Sequence, residues 1–152
     1  MPQVEASQYA VGVFRDIGSA TKAIEALTRH GFPTDALTVA GLVSDDLTAL
    51  ASSACGRDAE RFEDPALGAI VGAGPLAAAL VADQPAASTV GLAVRLRQLG
   101  FQAHDGRIFE ALVGRGGVLV AVRSESRAAD ALATLHNYGG GNAAIGAWVG
   151  RV

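Results

Sequence analysis

The sequence predicts an α/β protein of one domain, built on two related β-α-β halves. Three observations carry that reading. Residues 10–31 and 118–139 share one pattern at a constant offset: an apolar run, an arginine, a capping residue, a helical apolar stripe and a closing glycine. A second β-prone run follows each copy, Leu37 to Val43 and Ala144 to Val149. The 152 residues suit a single core, because a folded chain of this size buries roughly two-thirds of the surface its unfolded form exposes.

The repeat pairs Arg15 with Arg123, Ala20 with Ala128, Ala23 with Ala131, Leu27 with Leu135 and Gly31 with Gly139, and it sets Ile24 against Leu132. Apolar residues at 20, 23, 24, 27 and at 128, 131, 132, 135 mark one buried helix face in each copy. Asp16 and Ser124 stand at the N-cap positions, and Gly31 and Gly139 at the left-handed positions that end the helices. The strands that open the copies are Tyr9 to Phe14 and Val118 to Val122. Two such units with right-handed crossovers combine most economically as a ferredoxin-like four-stranded sheet, with both helices on one face and the first strand of each half in the centre. Gly12 and Ala10 share a side of the first strand and leave room for close approach there, with Phe14 adding bulk at one end. The run Val118 to Val122 is apolar on both sides, so the second face of the sheet also needs a cover, from the middle of the chain or from a second subunit.

Residues 44–115 are too many for a loop and read as a helical, glycine-rich insertion. Ser44 caps a helix that buries Leu47, Leu50, Ala51 and Ala54 and closes at Gly56. A charged connector, Arg57 to Asp64, leads to the uncharged stretch Pro65 to Ala82, read as a buried helical element that Pro75 divides. Further helices start at Ser88, burying Leu92, Ala93, Leu96 and Leu99 before Gly100, and cover about Ala103 to Val113, grouping Ile108, Phe109, Leu112 and Val113. These insertion helices are the expected lid for the second sheet face.

Phe101 to Arg123, with its Gly-Gly-Val-Leu-Val phrase, set beside the opening repeat and the glycine-rich run Gly68 to Gly74, resembles a family of small bacterial general stress proteins with a glycine-zipper middle. The resemblance covers most of the chain. It implies the same β-α-β start and final helix, a link to stress and no catalytic motif. The glycine-rich run is shorter here, and the helix before Gly116 lacks the proline and most of the acidic residues of that pattern.

Composition restricts the function classes. Half the residues are apolar but only 5% are aromatic, so the core is made of Ala, Val and Leu with many close-packing glycines. A net charge of −3 with scattered Lys and Arg offers no basic field and argues against nucleic acid as a partner. A single cysteine, Cys55, cannot form an internal disulfide, and the first residues lack the basic start and apolar run of a secretory signal, which makes the cytoplasm the expected location. Pro65 to Ala82 is rich in Ala and Gly and broken by Pro75, a poor membrane span; association with a membrane surface through it is the third reading below.

No reactive constellation assembles from the pattern, and no metal or cofactor is implied. His30, His104 and His136 lack partners at metal-ligand spacings and read as solvated residues near helix ends. Cys55 lies at a helix C-terminus, whose negative end raises a thiol pKa, and reads as a small buried thiol. Gly68 and Gly72 read as a helix-packing pair, since no Gly-Lys-Ser/Thr follows them and no convincing strand leads into the run. Gly114 to Gly117 and Gly139 to Asn142 read as turns, the latter able to form a small anion nest. Arg15 and Arg123, at equivalent ends of the two strands, are the candidates for gripping one anionic ligand from both halves. The leading functional expectation is a non-catalytic, stress-associated and homo-oligomeric interaction module. The alternatives are a small-ligand binding domain or enzyme, with a pocket between sheet and insertion helices, and a peripheral membrane protein.

Overall fold

A computed structural model describes residues 9–82, 91–124 and 127–140. The expected last strand, Ala144 to Val149, and the helix start at Ser88 lie outside the described residues. The order of elements is β1 (Tyr9–Phe14), α1 (Ile17–Arg29), a short 3-10 turn (Thr34–Ala36), β2 (Leu37–Leu42), α2 (Asp45–Cys55), β3 (Glu60–Asp64), β4 (Gly68–Ala73), α3 (Pro75–Ala82), α4 (Leu92–Gln98), α5 (Ala103–Gly114), β5 (Val118–Arg123) and α6 (Ala128–Asn137).

The described strands form one five-stranded sheet in the order β1-β5-β2-β4-β3. Every neighbouring pair is antiparallel. β5 lies between β1 and β2, as expected of the first strand of the second half, whereas β1 flanks it. The insertion is not wholly helical, because residues 60–73 form the hairpin β3–β4 and extend the sheet beyond β2. Two local features drive this. Phe62 and Asp64 are buried between exposed Arg61 and Glu63, a period of two, and Ile70 and Val71 bring β-branched side chains to opposite faces. The hairpin loop is fixed by Asp64, whose Oδ2 accepts from the backbone N–H groups of Ala66 (2.9 Å) and Leu67 (2.8 Å).

The alternation along β5 divides the core in two. Val118, Val120 and Val122 face α1, α2 and α6, where they meet Leu27, Leu47, Ala51, Ala131 and Leu135. Leu119 and Ala121 face α3, α4 and α5, with Leu76, Leu80, Leu96, Phe109 and Leu112. The second sheet face is therefore covered within the chain. α2 is the exception among the insertion helices, since it joins the repeat helices on the first face through Leu47, Ala51 and Cys55.

α1 follows its sequence pattern closely. The Asp16 carboxylate accepts from the Ser19 N–H at 2.7 Å, Ala20, Ala23, Ile24 and Leu27 are buried, and Gly31 takes a φ of 90° beyond the helix end. α6 departs from it. Ala131, Thr134 and Leu135 are buried, whereas Ala128 is exposed and Leu132 is 43% exposed. The Thr134 hydroxyl donates to the Asp130 carbonyl at 2.9 Å, which lets a polar side chain occupy the buried stripe. The C-terminal half of α6 packs on β1: a methyl group on Gly12 would lie 3.2 Å from Gly140 Cα and 3.4 Å from Leu135 Cβ.

Candidate functional site

The second strand-to-helix turn of the repeat opens into a recess of about 270 Å³, lined by Gly31, Phe32, Pro33, Ala36, Arg123, Ser124 and Arg127. Its two walls come from the two halves of the chain. The loop after α1 supplies one wall because Gly31 reverses the chain and Phe32 anchors it by burial in the first core. The end of β5 and the start of α6 supply the other, and among the described residues they carry all the polar side chains of the lining.

Arg123 ends β5 opposite Tyr9 of β1 and donates a hydrogen bond to the Tyr9 phenol. Burial raises the Tyr9 pKa above its ordinary value, while the charge and hydrogen bond of Arg123 pull it down. The Arg127 guanidinium lies over the Phe32 ring at 4.2 Å from its centroid, a cation-π contact across the two walls. Arg127 Nε also stands 3.4 Å from Asp130 Oδ2.

Ser124 is the position at which sequence and structure differ most usefully. It does not cap α6. The helix begins at Ala128 with Arg127 as its N-cap residue and no side-chain capping bond. The Ser124 carbonyl accepts from the Arg127 N–H at 2.6 Å, closing the turn through the backbone. Its side chain is buried, with the residue only 6% exposed, and no partner for the hydroxyl is found among the described residues. A buried hydroxyl in that condition carries a desolvation cost that a ligand atom can relieve.

Arg15 does not join this site. Phe14 pairs with Val118 and Tyr9 with Arg123, so Arg15, one residue beyond Phe14, lies at the opposite end of the strand pair. At about 3.4 Å per residue the two arginines are separated by roughly 20 Å. They occupy equivalent ends of their own strands, but the strands are antiparallel, so one ligand cannot bridge them. This recess lies at the end of the sheet, and none of its lining residues comes from α3, α4 or α5.

The glycine pair is also placed differently. Gly68 opens β4 with a φ of 88° and nothing lies within 4 Å of its would-be side chain. Gly72 is in β4, where a methyl group would come within 2.8 Å of Ala40 Cβ and 3.2 Å of Ala77 Cβ. It permits close packing of β4 on β2 and α3, not of one helix on another. The helix seam made by a glycine is at Gly106 of α5, where a methyl group would meet the Ala93 carbonyl of α4 at 2.8 Å. β4 does run into α3 through Gly74, but the Leu76 N–H at that helix start is taken by the Thr38 hydroxyl at 3.0 Å. That junction is closed by protein and is no phosphate cradle.

A buried polar cluster on the second face was not legible in the sequence. Asp64 Oδ1 accepts from the Leu92 N–H (2.6 Å) and Glu110 Oε2 from the Ala93 N–H (3.1 Å), so two carboxylates serve the start of α4. Arg95, buried in the same region, donates to the Leu80 carbonyl at 3.2 Å and stacks over Phe62. Burial lowers the Arg95 pKa and the Asp64 charge opposes that shift. These contacts tie α4 to β3 and α3 and are structural.

Cys55 is buried between the carbonyls of Leu37 (3.3 Å) and Ala73 (3.4 Å), and burial pushes its thiol up to about 11. The thiol is therefore protonated and unreactive at neutral pH. His30, His104 and His136 are exposed at or near helix ends. Among the described residues no His, Cys, Asp or Glu cluster could hold a metal ion, and no helix is long and apolar enough to cross a membrane. The uncharged stretch 65–82 is divided between strand β4 and the short helix α3. No family model, curated protein or solved structure matches the chain.

Proposed function

We propose that the chain is a non-catalytic binding module whose ligand is a small anion held in the recess between the two halves. One observation carries the reading: Arg123, Ser124 and Arg127 line one recess, and the buried Ser124 hydroxyl has no partner among the described residues. Guanidinium groups and a hydroxyl beside an uncapped helix start form a donor set suited to an oxyanion. Among the described residues the lining contains no histidine or carboxylate that could take a proton from Ser124, which favours binding over catalysis.

The same reading includes a ferredoxin-like origin for the β1, β5 and β2 part of the sheet, with β3 and β4 as an extension. The parallel alignment of β1 and β2, both antiparallel to β5, supports it. A link to stress rests on the sequence resemblance alone. Homo-oligomer formation is not part of the proposal, because α3, α4 and α5 supply the cover for the second sheet face that the middle of the chain or a second subunit could have given.

Titration calorimetry with inorganic phosphate, sulfate and acetate tests the reading. The wild type is expected to bind at least one of them, and Arg123→Ala and Arg127→Ala each to weaken it by about tenfold or more, as for loss of a hydrogen bond to a charged group. Equal binding by wild type and both variants, or none by the wild type, would overturn it.

A further inference from the structure

The anion-binding reading leaves open what the ligand is and what holds Arg127 before it arrives. Arg127 is held by Phe32 on one wall and by Asp130 on its own helix. The Arg127–Asp130 pair is long at 3.4 Å and open to water, its side chains being 40% and 65% exposed. Such a pair contributes little, so a better acceptor can replace it. Asp130 also lies in the first turn of α6, where the helix N-terminus favours its charge whether or not Arg127 stays. Exchange of Asp130 for a ligand is therefore cheap on the protein side.

The donors around the recess define the ligand. Two guanidinium forks and the Ser124 hydroxyl line the recess, and α6 starts beside them without a side-chain cap. A monocarboxylate has one charge and two oxygens in a plane, and leaves much of that set unused. A tetrahedral dianion offers oxygens to each donor and charge to both arginines.

Resting on the anion-binding reading, we infer that the recess selects a phosphate-type tetrahedral dianion and that Asp130 is its built-in competitor, occupying Arg127 until the ligand displaces it. The shared chemistry is that of a free phosphate, a sulfate or the terminal group of a phosphate monoester.

The experiment titrates inorganic phosphate, sulfate and acetate into the wild type, Asp130→Asn, Asp130→Ser and the double variant Arg127→Ala/Asp130→Asn. Phosphate and sulfate are expected to bind more tightly than acetate. Both neutral replacements of Asp130 are expected to tighten the dianions by about two- to fivefold, the scale of one exposed ion pair. The gain should vanish in the double variant. If Asp130→Asn and Asp130→Ser bind phosphate no better than wild type while Arg127→Ala still weakens it, the competitor role is overturned and the anion site stands. Acetate binding as tight as phosphate would overturn dianion selection. Absence of anion binding in every protein would remove both the inference and the reading beneath it.

Discussion

The two strand-to-helix turns of the repeat stand in equivalent places and do different things. At the first, Asp16 caps α1 and the helix starts one residue later, at Ile17. At the second, Ser124 holds the place of Asp16, yet α6 starts at Ala128, the equivalent of Ala20. The later start puts Arg127 at the helix end, and the Ser124 hydroxyl has no partner among the described residues. The buried stripes differ accordingly. Ala23, Ala26 and Leu27 have buried counterparts in Ala131, Thr134 and Leu135, but buried Ala20 and Ile24 correspond to exposed Ala128 and Leu132. α6 grips the sheet by its C-terminal half and stands off at its start, and the recess lies beside that start. The comparison places the candidate site where one copy of the pattern breaks the local rule that the other obeys.

The largest expected effect tests that difference in seating. Leu135→Ala removes a fully buried side chain next to Gly12 and should cost about 2–5 kcal/mol in urea denaturation. Leu132→Ala should change stability by no more than about 0.5 kcal/mol. Comparable losses at the two positions would mean that α6 is seated like α1, with its start against the sheet, and would close the recess.

Much of the fold was legible because local chemistry and tertiary environment agree there. Tyr9–Phe14, the Asp16 and Ser44 caps, the α1 stripe and the close approach at Gly12 all follow from spacing and residue type. The hairpin β3–β4 was hidden by its glycines. Gly68 and Gly72 fit a helix seam by spacing, whereas in β4 Gly72 lets neighbouring elements approach, and only the alternation around Phe62 signalled a strand. The site was half visible. Arg123 stands out through the repeat, but its pairing with Arg15 assumed that equivalent strand ends meet, and the antiparallel register separates them. Phe32 and Arg127 come together across the two halves through folding, and no local pattern announces that contact.

The next comparison sets the two turn residues against each other. Asp16→Ala should cost about 1 kcal/mol, the usual loss of an N-cap. Ser124→Ala should leave stability within about 0.5 kcal/mol of wild type, because its hydroxyl bonds no described partner, while weakening the binding of inorganic phosphate. The reverse pattern, a destabilising Ser124→Ala with unchanged phosphate binding, would make Ser124 a cap after all.

The smallest effect is the pH dependence of the first turn. Hydrogen bonds from Ser19 hold the Asp16 carboxyl below its ordinary value of 3.8. A group with a depressed folded-state pKa adds stability that is fully present above its unfolded pKa and is lost as pH falls through the folded value. The difference in unfolding free energy between wild type and Asp16→Ala should therefore be constant above about pH 5 and shrink below about pH 4. Asp16 is exposed, so solvent screening keeps this contribution small. Wild type and Ser124→Ala should instead differ in stability by the same amount across that range, since a serine hydroxyl does not titrate there. A difference between wild type and Asp16→Ala that stayed flat down to about pH 2.5 would show that the cap works without its charge. The contrast between the turns would then rest on where each helix starts, and the ionised carboxylate would have no part in it.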